Sequence, residues 1–417
     1  MTTPPLVPDA AGLRGRPPSL WRNRAFNLLW AGQCLSDLGG AMADLALPLL
    51  VLQQTGSPAR AGLVGTVGLA TTLACRLPAG VLADRYDRRR LMITCDAARI
   101  AAYAVLACAV AADAAGVAVL LLVVAGGAAA TAVFSTAEHA AIRSIVRPDQ
   151  IATAVARNEA RSYGTSLAGP PLGGLLFGIG RSLPFIGNAL SFLLSLIAVV
   201  CIRRPLQQRR PGPAEKAGSG GASAVQGLQF VLGHPFLRGL LVIAAPLNTA
   251  FTGMIFAMTL ALRRSGVPPF LVGLAGAIFA LGGFLGALAA PALQRWLSLP
   301  ALITLLCWAT AALMAVSALL SATVLAAVPL AAAVFLGPTA NAALFGHQAA
   351  ITPDHLQGRV VSVLLLAAGS TAALAPALAG ALLARWAPGT AMLVFPLLVT
   401  GAAVTATFSR GIRTTSA

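Results

Sequence analysis

The sequence predicts an all-α integral membrane protein, with twelve transmembrane helices in two pseudo-symmetric six-helix halves. Three observations carry that expectation. Of the 417 residues, 58% are hydrophobic and 10% charged, against roughly 25% charged in a soluble domain, so too little polar material is present to cover a surface in water. The charges fall in short clusters separated by apolar runs of about 20 residues, the length that crosses ~30 Å of hydrocarbon at ~1.5 Å per residue. The second half of the chain also repeats landmarks of the first at a nearly constant offset. An ordinary soluble enzyme and a disordered chain are both excluded.

Residues 1–24 form a basic tail with Arg14, Arg16, Arg22 and Arg24. The apolar run behind it is too long for the core of a cleaved signal peptide and contains Asp37 and Asp44, so it reads as span one, 26–52. Span two, 60–83, lies between the turn Thr55-Gly56-Ser57 and the basic cluster ending at Arg90. Spans three, 91–112, and four, 117–140, are separated by Asp113 and Gly116. Span five, 151–177, follows Arg147-Pro148-Asp149, and span six, 183–202, follows Arg181. These six make an N-terminal half over 25–202.

Residues 203–236 read as a cytoplasmic linker rich in Arg, Pro, Gly and Ser. At its end Ala224, Leu228, Val231 and Leu232 stand at helical spacing, either as a short amphipathic helix on the membrane surface or as an ordered turn into span seven. The C-terminal half, 237–408, holds spans seven to twelve at 238–262, 270–293, 299–320, 323–346, 357–384 and 390–408. The stretch from Trp296 to Pro353 has no charged residue and must hold two helices, which places their turn at Ser321. A short tail, 409–417, closes the chain.

Lys and Arg exceed Asp and Glu by 17. A nucleic-acid domain gathers such charge on one soluble face, whereas here it sits at span ends, so nucleic acid is not an expected partner. With the N-terminus inside, 21 basic residues fall on the inner side and five (Arg60, Arg181, Arg263, Arg264 and Arg385) on the outer. That bias predicts both termini in the cytoplasm. The six cysteines are scattered singly and the four histidines form no set, so no metal site is expected.

The repeat shows at three places. Pro148-Asp149 before span five corresponds to Pro353-Asp354 before span eleven at an offset of 205, which carries Pro171 onto Pro376. Arg89 corresponds to Arg295 at 206. Two parallel six-helix repeats are an arrangement typical of secondary transporters, with a mid-membrane site between the halves.

The most specific motif is Gly80-Val81-Leu82-Ala83-Asp84-Arg85-Tyr86-Asp87-Arg88-Arg89-Arg90-Leu91. It resembles the signature loop of the major facilitator superfamily, with Asp87 in place of the usual glycine. Ser36-x-x-Gly39, Thr55-Gly56-Ser57, Asp96-x-x-Arg99 and Gly169-Pro170-Pro171-x-Gly173-Gly174 fit the branch of proton-driven drug and secretion exporters that includes macrolide and enterobactin exporters. Physically, Gly80 suits a close helix approach. Asp84 at the membrane edge suits the positive N-terminus of a neighbouring helix, which the resemblance identifies as span eleven near Leu356-Gly358-Arg359. Arg85, Arg88, Arg89 and Arg90 then bind carboxylates or lipid phosphates, and the loop becomes a conformational latch. The span-five motif resembles the one associated with antiporters; its prolines kink the helix and its glycines pack on a partner.

Ionisable groups inside a bilayer are costly and usually functional. Gln33, Asp37, Gly40 and Asp44 share one face of span one, which the resemblance places on the central cavity. Asp37, near mid-depth, is the first candidate for a proton-binding carboxylate, with Arg76 on span two as a candidate partner. Asp96 and Arg99 are spaced for an intrahelical pair. Glu138, Glu159 and Arg161 belong to an inner charge network, and Asn248 and Asn341 are polar candidates in the second half. No nucleotide-binding loop, nucleophile elbow or catalytic cluster occurs, so neither a primary pump nor an enzyme is expected. What remains is a secondary transporter in the bacterial inner membrane, working as a monomer without a cofactor. The leading expectation is proton-driven efflux of a small apolar or amphipathic compound, such as a drug, antibiotic or siderophore, with an importer or uniporter as the alternative.

Overall fold

The computed structural model describes residues 20–203, 205–207 and 220–409, with the side chains of 220–225 and His355 excepted. Most of both tails (with Arg14, Arg16, Arg410 and Arg413) and much of the linker (with Arg204, Arg209, Arg210 and Lys216) lie outside the described residues.

No strand occurs among the described residues, and eleven helices are long and apolar enough to cross a membrane. They are Arg24–Thr55, Pro58–Arg85, Arg88–Ala111, Val117–Ile145, Leu183–Cys201, Pro235–Arg264, Pro269–Trp296, Leu299–Leu319, Val324–Ile351, Gln357–Arg385 and Pro388–Phe408. The twelfth, span five, is Ile151–Ile179. Its 29 residues are long enough, but Arg157, Glu159 and Arg161 make its first half polar.

Local chemistry sets the ends. The Asn23 side chain accepts from the Phe26 N–H at the start of span one, and Ser57 does the same for Arg60 ahead of Pro58 in span two. Gly56 closes span one with φ +62, a conformation in which a side chain would be strained. Interior breaks that the sequence reading did not include fall at Leu336 in span ten, Ala373–Leu374 in span eleven and Leu393 in span twelve, each within three residues of a proline.

An even number of spans leaves the described chain ends on one side of the bundle, here called the terminal face; the other is the distal face. The buried core divides along this axis. One large cluster at the distal face joins both halves, running from Leu45 through Leu52 of span one to Met254 through Leu262 of span seven and Phe395 of span twelve. Towards the terminal face the halves bury separate cores. Phe26, Leu29, Met92 and Phe134 belong to the first; Phe236, Leu237, Ile303 and Val360 belong to the second. The halves are thus shut together distally and parted at the terminal face.

The linker ends in a helix, Gly220–Gly233, and not in a turn. Val231 is buried in the second half's terminal core, and Leu228 and Leu232 stay exposed. Gly227 lies against Arg359 of span eleven, whose guanidinium donates to the Gln226 side chain.

Candidate functional site

Span one is the central rod, and past residue 41 nearly all of it is buried against spans five, six and two. Between Met42 and Leu52 Asp44 is the exception and is exposed. Gly40, on the same face, has open space before it, and Asp37 one turn towards the terminal face is 37% exposed. This stripe is the uncovered face of span one.

Asp37 does not stand alone there. Arg161 of span five places its Nε 3.0 Å from Asp37 Oδ2 and donates from Nη1 to Glu138 Oε1 of span four at 2.8 Å. The first contact is an ion pair in which the N–H is not aimed along an aligned hydrogen bond; the second is a direct hydrogen bond. Arg161 and Glu138 are buried, so one guanidinium serves two carboxylates, of which only Asp37 reaches the open space.

The expected partnership of Asp37 with Arg76 is not formed. Arg76 is exposed on span two, and among the described residues no carboxylate lies within ion-pair distance of it or cation within that of Asp44. The partner comes from span five because spans one and five pack side by side, with Ala41 against Gly169 and Met42 against Gly173. Arg161 was legible as a member of an inner charge network, but its reach across to Asp37 was not.

Gln33 also departs from the expected stripe. It is buried against span six and donates to Ser195 Oγ at 3.1 Å. Ser195 in turn donates to Asp96 Oδ2 at 2.9 Å, and the other oxygen of Asp96 pairs with Arg99. The Arg99 guanidinium lies between the rings of Phe134 and Phe192, 4.5 and 4.2 Å from their centroids, a desolvated cation–π arrangement. Asp96 and Arg99 thus form the expected pair, fully enclosed and knitting spans one, three, four and six. Asn248 and Asn341 are exposed.

The loop after span two is disengaged. Asp84 is exposed, its side chain makes no hydrogen bond or ion pair among the described residues, and Gly80 faces open space instead of a neighbouring helix. Both departures follow from the parting of the halves at the terminal face. Two of the loop's arginines are held by backbone carbonyls. Arg88 donates to the Ala140 and Leu206 carbonyls at 3.0 and 3.4 Å, and Arg89 to the Val200 carbonyl. Both guanidinium groups thus lie near the terminal-face ends of spans four and six. Asp87 caps span three, accepting from the Arg90 N–H at 2.9 Å, which accounts for a carboxylate in place of glycine.

The span-five motif serves two partners. Gly169 and Gly173 meet span one, while Pro170 and Gly174 meet Gly273, Gly276 and Pro269 of span eight. By the contacts each makes, Pro170 and not Pro171 is the counterpart of Pro376, so the repeat offset here is 206 and not 205. A depression of about 290 Å³ on the distal face, lined by Gln53, Phe177, Arg181 and Arg263 among others, belongs to the closed side and is remote from the carboxylates.

Comparison with known proteins agrees with this architecture. The chain is 29% identical over 346 residues to the multidrug efflux pump Tap of Mycolicibacterium fortuitum, covering 78% of this chain and 81% of that one. It is 28% identical to the uncharacterized MFS-type transporter YfiS of Bacillus subtilis, spanning 64% of each. Over 81 residues, about a fifth of each chain, it is 32% identical to macrolide efflux protein A of Streptococcus pyogenes. The fold matches the inward-facing, unoccupied crystal structure of a bacterial homologue of the human lysosomal transporter Spinster, at TM-score 0.75 and 17% identity over 94% of this chain and 98% of that one. An inward-facing bacterial homologue of the iron transporter ferroportin matches at TM-score 0.69 and 17% identity, over 93% and 98%. The Major Facilitator Superfamily profile matches residues 29–376. This multi-pass membrane protein, with its paired six-helix halves and its charged loop after span two, belongs to the Major Facilitator Superfamily.

Proposed function

We propose that the protein exports a small apolar or amphipathic compound from a bacterial cell by alternating access, driven by protons entering through Asp37. The observation that carries this is the Asp37–Arg161–Glu138 cluster. Two carboxylates share one cation, so the set accepts one proton without leaving a buried guanidinium unpaired, and Asp37 is the member that the open space reaches. Like charges this close disfavour joint ionisation, and an intramembrane acid is retained at a cost that function must offset. With Asp37 neutral, Arg161 and Glu138 remain as a self-contained pair; with Asp37 ionised, its charge is available to Arg161 or to cargo.

The efflux activity of the relatives supports the export direction. The arginine distribution supports cytoplasmic termini in the inner membrane, which makes the terminal face cytoplasmic and the present state inward-open. The units that rock are the halves 25–202 and 237–408, joined by the linker 203–236, and a single chain contains the whole pathway. Asp84 acts when the terminal face shuts, by meeting the start of span eleven.

Transport into inverted vesicles under an imposed pH gradient, screened against a compound panel, tests the reading. Asp37→Asn is expected to abolish gradient-driven accumulation while leaving substrate binding measurable, and Asp44→Asn is expected to act more mildly. Continued accumulation by the Asp37→Asn protein would place the proton site elsewhere.

A further inference from the structure

A proline inside a helix removes one donor, and its ring displaces the backbone around it, so nearby backbone groups, N–H as well as C=O where the helix breaks, need other partners. The distal face contains this problem twice, at positions related by the repeat. In the seam between spans five and eight, the Pro170 carbonyl meets Gly273, the Pro170 ring meets Gly276, and Gly174 meets the Pro269 carbonyl. In the seam between spans two and eleven, the Pro376 carbonyl meets Gly62, its ring meets Gly65, and Gly380 meets the Pro58 carbonyl. The correspondence is one to one: Pro376 and Gly380 stand 206 residues after Pro170 and Gly174, and Pro269, Gly273 and Gly276 stand 211 after Pro58, Gly62 and Gly65. Each seam depends on glycine because a Cβ would strike the opposite half.

The seams differ at the next residue. Pro171 has no N–H to satisfy, and its helix, Ile151–Ile179, is unbroken. The counterpart of Pro171 is Ala377, which has one. Span eleven breaks just before it, one segment ending at Ala372 and the next starting at Ala375. The freed Ala377 N–H crosses to the other half and donates to Thr66 Oγ1 at 2.9 Å. In the other seam Ala277 occupies the place of Thr66 and offers no acceptor, where none is needed.

We infer that Thr66 is a positioning residue of the distal gate: its hydroxyl holds the broken segment of span eleven across the seam and biases the protein towards the distally closed state. The inference rests on the two-state movement proposed above. While the seam is shut, the buried Thr66 hydroxyl is the acceptor for the half-buried Ala377 N–H; once it opens, water can serve. Loss of the hydroxyl therefore penalises the closed state selectively, and an unpartnered donor in this half-buried seam is worth up to about a tenfold change in population.

Spin labels at Arg60→Cys and Arg385→Cys, both exposed at the distal ends of spans two and eleven, read the gate in the full chain in lipid nanodiscs. The native cysteines are replaced by alanine and no substrate is added, so the distances do not depend on what the protein exports. Thr66→Val keeps the side-chain shape and is expected to raise the long-distance population by up to about tenfold, with Thr66→Ser restoring the original distribution. The decisive variant combines Thr66→Val with Ala377→Pro. It removes the orphaned donor as Pro171 does and is expected to close the gate again, which loss of packing alone would not allow. An unchanged distribution in Thr66→Val, or a double variant as open as the single one, overturns the inference. Correct gate behaviour in a protein that moves no compound would overturn the export reading alone.

Discussion

The first half of the molecule ties its spans together with charge, and the second half does so with packing. Asp37, Glu138 and Arg161 join spans one, four and five, while Asp96, Arg99, Ser195 and Gln33 join spans one, three and six. From 237 to 408 the single acid is Asp354, in a turn, and every arginine stands at a span end. Buried polar groups there are neutral, among them Thr310, Ser317, Thr339 and Gln348. Since a charge removed from water costs several kcal/mol unless well partnered, two halves of similar fold show that the scaffold does not require intramembrane charge. Its concentration in one half therefore points to chemistry there, with the other half supplying a largely apolar wall.

The largest expected effect breaks the first half's enclosed pair. Asp96→Ala strands Arg99 between Phe134 and Phe192, and removal of one partner of a buried pair costs about 3–5 kcal/mol. Purified protein should show a strongly lowered thermal midpoint. Asp96→Leu combined with Arg99→Leu should recover much of that loss, because no charge is left unpaired. If the double variant is as unstable as the single one, the network contributes more than pairing.

The latch comes next. In the present state Asp84 has no hydrogen-bond or ion-pair partner among the described residues, so Asp84→Asn is expected to leave stability unchanged and to reduce transport by up to about tenfold, the scale of a carboxylate facing a helix N-terminus. Asp87→Ala should behave in the opposite way, losing about 1 kcal/mol of stability with its N-cap and little transport. Equal transport losses at both positions would reduce the loop to general charge.

The contrast also shows what one sequence could reveal. Span number and approximate edges followed from the bilayer's thickness, which acts on each segment separately. The Asp96–Arg99 pair followed from spacing within one helix. What could not be read was the geometry between helices. Arg161 and not Arg76 meets Asp37, and Gln33 turns to Ser195, because neighbours and their tilts decide these contacts. Asp84 and Gly80 lack the close partners expected of them for another reason: a latch motif has two states, and the terminal face is parted in this one. The bond from Ala377 to Thr66 joins residues 311 apart, a separation at which local pattern carries no signal.

The smallest expected effect tests the second half. Thr310 of span nine is buried, and its hydroxyl has no partner among the described residues. A buried hydroxyl without a partner has already lost its bonds to water, so replacing it by a methyl of similar shape removes a penalty and forfeits no contact. Thr310→Val is therefore expected to be neutral or to stabilise the protein by up to about 1 kcal/mol, read as an unchanged or slightly raised thermal midpoint. In the first half, Ser195→Ala removes a hydroxyl that bridges Gln33 and Asp96 and should cost about 1–3 kcal/mol. A destabilised Thr310→Val protein would mean that the second half also depends on polar ties, and the division between the halves would then rest on charge alone.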